Sequence, residues 1–249
     1  MSASAWKILP PRGTASAFTS SAMISRSNTA ALIPCYFEEK HIQDIARRTL
    51  AQLDQVLVVD DGSTDATEAE ARASCAEVIR HSVNQGKGAA IKTGLHALSG
   101  RASVEYVLVL DGDGQHLPEE IPAFIEAANA THAAMLVGNR MSDTRTMPFV
   151  RKMTNRFMSA QISGVCGQEI PDTQCGFRMF HRDLAAALCE TESSKYDFET
   201  EMLVIAARRG GSIAAVPVST VYGDEVSKIH PLRDTIRFFQ LMHRLKHAA

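Results

Sequence analysis

Two aspartates one residue apart, Asp111 and Asp113, stand directly behind the apolar run Tyr106–Leu110 in the stretch YVLVLDGDGQH. An unbroken run of β-forming apolar residues reads as a buried parallel strand. Open α/β sheets place their ligands beyond the carboxyl ends of such strands. The glycines at 112 and 114 free the backbone to bring both carboxylates towards one point. Hard divalent cations such as Mg2+ or Mn2+ take oxygen ligands and keep positions open for water or phosphate. The Asp-x-Asp therefore points to a metal ion that holds a diphosphate. The alternative is a solvated acidic turn, since Asp and Gly are turn residues.

Two other readings of these residues are weighed against it. An EF-hand loop needs glycine at its sixth position and glutamate at its twelfth, where this chain has His116 and Pro122. Phosphatases of the haloacid dehalogenase type also carry Asp-x-Asp-Gly behind a strand, but follow it with Thr or Val near the start of their core. Here Gln115 follows, and three strand-like segments precede it. That reading stays as a remote alternative.

Positioning these residues takes a repeated alternation of strand and helix. A short apolar strand from Thr29 ends at Pro34, and Ile42, Ile45, Ala46, Leu50 and Leu53 follow at helical spacing. Strand Val56–Val59 runs into Asp60-Asp61-Gly62. Ser63, Thr64 and Asp65 then offer caps, with Glu68 as the capping-box partner of Asp65. A third strand, Glu77–Arg80, leads to NQGKG, where backbone N–H groups at a helix start and Lys87 are placed to meet an anion. It is not a P-loop, because the Walker spacing and the Ser or Thr after lysine are missing. A helix through Ile91 and Leu95 returns to the central strand, Pro118 opens another, and Met135–Gly138 is a fifth strand ending in Asn139-Arg140. The alternation predicts a single α/β domain with a mostly parallel sheet and helices on both faces. Beyond residue 141 the pattern loosens. A basic segment (Arg145, Arg151, Lys152, Arg156) precedes a helix, then come IPDTQCGFRMF, a helix from Leu184, an acidic helix start at YDFETEM and a strand near Ile213–Val221.

At 249 residues the chain can bury one good core. Its 45% hydrophobic and 22% charged residues are globular values, and no apolar run approaches the roughly 18 residues of a membrane span. A net charge of −2 argues against general nucleic-acid binding. The five cysteines show no metal-type pairing and read as reduced thiols of a cytosolic protein. Residues 1–28, rich in Ser and Ala without an acid, are expected to form a disordered extension ahead of a domain over 29–228. Residues 229–249 are basic, and Pro231 can open a helix there. Arg233, Arg237, Gln240, Arg244 and His247 make one polar stripe, with Ile236, Phe238, Phe239, Leu241, Met242 and Leu245 on the rest of the surface. This helix is expected to lie flat on the cytoplasmic face of a membrane, its phenylalanines among the acyl chains. The alternative is packing on the domain or on a membrane partner subunit.

The motifs IPCYFEE, VVDDGSTD, NQGKGAA, LDGDGQH, GNR, DTQCGFRMF, FETEM and SK occur in that order. In this the chain closely resembles inverting family 2 glycosyltransferases of the GT-A (Rossmann-like) fold, and among them the polyprenyl-phosphate sugar synthases of the dolichyl-phosphate mannose synthase type. The similarity runs from about Ala30 to Lys228. It implies transfer of a sugar from a nucleotide diphosphate-sugar to an isoprenoid phosphate, with inversion, using Mg2+ or Mn2+. By this resemblance Pro34, Tyr36, Glu38, Asp60 and Asp61 contact the nucleotide, with Lys87 and Gly112 beside the nucleotide-sugar. Asp113 is the chief metal ligand, with Asp111 and Gln115 around the same ion. Arg140, Arg151, Arg178 and Lys228 match cations set against donor and acceptor phosphates, a role that suits the planar fork of arginine. The stretch Thr220–Lys228 departs from the pattern, being longer and lacking a basic residue that the family often has. An anionic lipid phosphate needs no strong general base. A hydroxyl acceptor needs a carboxylate, for which Asp172, Glu199 and Glu201 are candidates. Both acceptor classes stay open at this point.

Overall fold

The computed structural model of the chain describes residues 23–145, 147–191, 197–219, 238, 240–242 and 245. The first strands arise from the apolar runs: β1 (Thr29–Cys35), β2 (Gln55–Asp60), β3 (Glu77–Arg80), β4 (Tyr106–Val109) and β5 (Met135–Asn139). Between them run α1 (Ile42–Gln52), α2 (Thr67–Ala73), α3 (Lys87–Ser99) and α4 (Ile121–Thr131), the last entered through a 3₁₀ turn at Pro118–Glu120. Downstream lie α5 (Phe149–Cys166), β6 (Arg178–His181), α6 (Arg182–Cys189), α7 (Asp197–Arg208) and β7 (Ile213–Pro217).

The strands form one sheet in the order β3-β2-β1-β4-β6-β5-β7. Strands β3, β2, β1 and β4 are parallel. The chain moves outward from β1 to β3, then returns to the other side of β1 as β4. That reversal creates a crevice beyond the carboxyl ends of β1 and β4, where α/β sheets bind ligands. The mostly parallel sheet is as expected, with one addition. The four residues of β6, within DTQCGFRMF, form a strand antiparallel to both β4 and β5. A run so short, with an arginine at its head, carries neither alternation nor an apolar block, so the sequence reading passed over it.

Strand β1 is buried along its whole length. Helix α3 approaches it closely because residue 94 is glycine: a Cβ there would lie 2.1 Å from Leu32 Cδ1. The expected capping box does not form. The Asp65 carboxylate accepts from Thr67 N at 3.1 Å, whereas Glu68 pairs with Arg72 and Arg80. Order also begins earlier than expected, since Ile24 is buried and exchanges two hydrogen bonds with the Asn129 side chain. All five cysteines are free thiols.

Residues 238, 240–242 and 245 are helical. The side chains of Phe238, Leu241, Met242 and Leu245 are buried. Leu241 and Leu245 pack on Val204 of α7 and on Val165 and Cys166 of α5, and Arg208 donates to the Leu245 carbonyl. Phe238 is therefore packed in the core instead of reaching acyl chains, and the described apolar residues of this stretch follow the alternative of packing on the domain. Arg233, Ile236, Arg237, Phe239, Arg244 and His247 lie outside the described residues.

Candidate active site at the tip of strand β4

Asp111 sits just past β4, at the reversal of strand order. Its Oδ1 lies 2.6 Å from the Lys87 ammonium, which also meets Glu199 Oε1 at 3.0 Å. The first residue of α3 and the first turn of α7 thus close on the tip of the central strand. Burial opposes the charge on Lys87, but Asp111 and Glu199 hold its ammonium well above the ordinary lysine range. Burial likewise works against ionised Asp111, and Lys87 with His116 outweighs it, keeping the carboxyl below its usual range. His116 Nε2 lies 3.8 Å from Asp111 Oδ2, and its ring packs on Phe177. Burial pushes the His116 imidazole down to about 4, so it is neutral at physiological pH. Lys87 at the helix start thus serves as counter-ion to two carboxylates instead of facing outward to an anion.

Asp113 is half-buried, and its Oδ1 accepts from the Gln115 backbone N–H at 2.9 Å. Gly114, at φ 78°, lets the loop turn back immediately after it. The Gln115 backbone N–H thus helps to fix the Asp113 carboxylate. Among the described residues no three His, Cys, Asp or Glu side chains converge as a metal cage. Magnesium-type sites need no such cage, because one or two carboxylates with water and substrate phosphates suffice. The charges here fit that pattern. Four carboxylates, Asp111, Asp113, Asp172 and Glu199, gather around this tip, with Lys87 set between Asp111 and Glu199 and Arg140 on Asp172. A divalent cation held by Asp113, with Asp111 across the turn, would match the donor chemistry of this oxygen-rich loop.

Arg140, just past β5, is buried and clamped by Asp172. Its Nε lies 2.8 Å from Oδ2, its Nη2 3.0 Å from Oδ1, and its backbone N–H donates to Oδ2 at 3.1 Å. Asn155 Nδ2 and the Gln174 backbone N–H donate to the same carboxylate. Burial favours protonation of Asp172, yet these partners, Arg140 foremost, hold it below the ordinary carboxylate range. A carboxylate with every lone pair engaged and a depressed proton affinity is a poor base, so the expectation of Asp172 as a base fails on geometry. Glu201 is buried in the packed face of α7. Glu199, by contrast, does stand at the site.

Arg178 is 1% exposed and spends its guanidinium on backbone carbonyls of Thr173, Cys175 and Glu199. It ties the 173–177 loop to the start of α7 and presents nothing to a phosphate. This corrects the acceptor role expected for it. Arg151 is exposed on α5, and Lys228 lies outside the described residues.

Residues 30–189 match the model described as Glycosyl transferase family 2. The chain belongs to this family. It is 28% identical over 213 residues to UDP-N-acetylglucosamine--dolichyl-phosphate N-acetylglucosaminyltransferase of Methanococcus voltae, covering 77% of this chain and 84% of the relative. It is 32% identical over 218 residues to dolichyl-phosphate beta-glucosyltransferase ALG5D of Trichomonas vaginalis, covering 75% of this chain and 64% of the relative. Glucosyl-3-phosphoglycerate synthase from Mycobacterium tuberculosis, solved with Mn2+, uridine diphosphate and phosphoglyceric acid, shares the fold at a TM-score of 0.66 and 18% identity. That likeness covers 89% of this chain and 78% of the other. The chain is thus a glycosyltransferase with the GT-A architecture, and the phosphatase alternative falls away. Among its described residues no helix is long and apolar enough to cross a membrane.

In this family 2 transferase the tips of β1 and β2 form the other wall of the crevice. Pro34 is buried within β1, while Tyr36 and Phe37 are partly exposed with ring centroids 4.3 Å apart. The Phe37 and Glu38 backbone N–H groups are fixed by the hydroxyls of Ser63 and Thr67. Phe37 has φ 58°, a left-handed conformation that is uncommon for a bulky residue and tends to persist at functional sites. Sequence reading missed Phe37, because aromatic identity alone does not reveal backbone strain. Asp60 and Asp61 are both buried. Asp60 Oδ1 accepts from Ser63, and Oδ2 has Arg80 Nε at 3.6 Å. Asp61 Oδ1 lies 2.7 Å from His81 Nδ1 and accepts from the Gln85 backbone N–H at 2.9 Å, while Oδ2 accepts from the Gly86 backbone N–H at 2.7 Å. Asp61 thus organises the loop that delivers Lys87.

Gly112 and Gly176 were both within motifs, but only the structure explains them. Gly112 faces Cys35 and Ile42 so closely that a Cβ would come within 3.1 Å of Cys35 Cβ. A Cβ on Gly176 would stand 2.6 Å from Asp111 Oδ2. Gly176→Ala must therefore displace the Asp111 carboxylate. We expect transfer activity to fall on the order of a hundredfold, the cost of a misplacement near 1 Å, with a smaller loss in thermal stability. Steady-state kinetics alongside a melting curve checks this.

Proposed function

We propose that this protein is a metal-dependent inverting glycosyltransferase that moves a sugar from a nucleotide diphosphate-sugar onto a polyprenyl phosphate. The observation that carries this reading is the state of the candidate bases. Asp172 is locked by Arg140, and Glu199 is engaged by the Lys87 ammonium. A site built for an acceptor that is already anionic needs no better base than these. The names of the Methanococcus and Trichomonas relatives, both of which specify dolichyl phosphate, support the same acceptor class.

In this reading Asp113, with Asp111, holds Mg2+ or Mn2+. The ion supplies charge stabilisation to the departing diphosphate. An acceptor phosphate oxygen attacks the anomeric carbon from the face opposite the leaving group, so the C–O bond to the diphosphate breaks as the new one forms and the configuration inverts. Lys87 fixes Asp111 and Glu199 in place, and Arg140 keeps positive potential behind them. Exposed Arg151 is the described cation suited to the acceptor phosphate, with Lys228 as a further candidate. Tyr36, Phe37 and Glu38 border the nucleoside. The lipid acceptor places the enzyme at the cytoplasmic face of a membrane as a peripheral protein. A hydroxyl acceptor served by Glu199 is the second reading, favoured only by that residue's position beside Lys87.

Thermal-shift titration tests the donor side of this proposal. UDP or GDP should raise the melting temperature more in the presence of Mn2+ than in its absence, because an ion held by Asp113 and Asp111 would strengthen diphosphate binding to the folded state. A nucleotide response that ignores the metal contradicts the proposed role of the ion.

A further inference from the structure

The amino-terminal half of α5 turns large apolar side chains to solvent. Phe149 is 75% exposed, Val150 76%, Met153 49% and Phe157 50%. At about 100° per residue these four share one arc of the helix. Asn155, Ser159 and Ile162, the buried residues of α5, occupy the opposite arc. Arg156 borders the apolar arc, Lys152 follows it on the same side with its ammonium 2.7 Å from Thr144 Oγ1, and the helix FVRKMTNRFMSAQISGVC contains no acid. A solvent-facing surface rarely gathers such side chains without a purpose. An apolar arc flanked by lysine and arginine is the pattern of a helix lying in a membrane interface, apolar face among the acyl chains and cations at anionic headgroups.

The inner arc of the same helix reaches the site. Asn155 Nδ2 donates to Asp172 Oδ1 at 2.9 Å, and Ser159 Oγ lies 3.2 Å from Thr173 Oγ1. Residues 172–176 run from that contact to Gly176, which abuts Asp111. One helix thus joins the exposed apolar arc to the loop beside the central carboxylates.

We propose that the protein docks on an anionic lipid surface through Phe149, Val150, Met153 and Phe157, with Lys152 and Arg156 at the headgroups. This rests on the reading that the acceptor is a membrane-borne lipid phosphate. It places the docking face on α5, since Phe238, Leu241, Met242 and Leu245 of the carboxyl-terminal stretch are buried on the domain.

The test is sedimentation of the full chain with vesicles of phosphatidylcholine alone, or of equal parts phosphatidylcholine and phosphatidylglycerol. The wild type should bind the anionic vesicles, less so at high salt. The exposed triple variant Phe149→Ser, Val150→Ser and Met153→Ser should lose at least about tenfold in partitioning. Lys152→Gln with Arg156→Gln should lose the preference for anionic over neutral vesicles. Melting curves establish that each variant is folded. Transfer to a short polyprenyl phosphate dispersed in detergent should stay unchanged in the triple variant, while transfer to the same acceptor embedded in anionic vesicles falls with binding. Vesicle binding by the triple variant equal to that of wild type overturns the proposal. So does a wild type that stays in solution, including one whose apolar arc pairs two copies into a dimer that the triple variant dissociates. Vesicle binding without transfer to either acceptor preserves the docking face and sinks the acceptor reading instead.

Discussion

Replacing Asp113 by Asn should lower sugar transfer by a factor on the order of 10²–10³, the usual effect of removing one electrostatic stabiliser from a transition state. The substitution separates charge from structure. An asparagine Oδ1 can still accept the Gln115 N–H that Asp113 receives at 2.9 Å, so the turn after β4 keeps its shape. What is lost is one negative charge at the loop proposed to hold the cation. The melting curve should therefore coincide with that of wild type, while the metal-dependent part of the nucleotide thermal shift disappears. Undiminished transfer by Asp113→Asn contradicts its assignment as the metal-holding side chain.

Asp172→Asn should behave in the opposite way, costing stability first. The carboxylate is 1% exposed and is the counter-ion of a buried guanidinium. Removing one partner of a buried pair leaves the other charge uncompensated, at about 3–5 kcal/mol. For a chain of this size that lowers the melting temperature by roughly 2–4 °C per kcal/mol. A catalytic base would show the reverse signature, with transfer lost and stability kept. Removing both charges together with Arg140→Met and Asp172→Leu should cost less than the sum of the single changes. The pH dependence carries the same information. The folded carboxyl binds its proton less readily than the ordinary aspartate near pKa 3.9. Its contribution is then complete above about pH 4 and is lost as the pH falls below that value through the lower folded pKa. The wild type should thus lose an increment of stability on acidification below about pH 4 that Asp172→Asn does not have to lose. Denaturant titrations across that range measure the difference.

Strands announced themselves wherever burial on both faces demanded an apolar run. Leu108 and Val58 needed no tertiary information to be placed in strands. The acidic and glycine-rich tips of those strands marked the crevice for the same reason, since only special backbone and polar side chains belong there. Strand β6 escaped because its pairing with β4 and β5 is set by distant segments, not by its own four residues. The arginines show the limit most clearly. Arg140, Arg151 and Arg178 look alike in sequence, yet one is clamped by Asp172, one is exposed on α5, and one is spent on backbone carbonyls. Lys87 was legible as a cation at a helix start, but its partners at positions 111 and 199 are joined to it only through the fold. Exposure and partnership, which decide whether a charge is structural or reactive, are properties of packing that no local spacing encodes.

One product analysis tests directly whether the enzyme transfers a sugar to an isoprenoid phosphate. The full chain is incubated with UDP- and GDP-sugars, Mg2+ or Mn2+, and a short polyprenyl phosphate, and the lipid fraction is read by mass spectrometry and NMR. The expected product is a sugar–phosphate–lipid whose anomeric configuration is inverted from that of the donor, absent when the metal is chelated. Transfer confined to hydroxyl acceptors, or a lipid product with the donor's configuration retained, contradicts it.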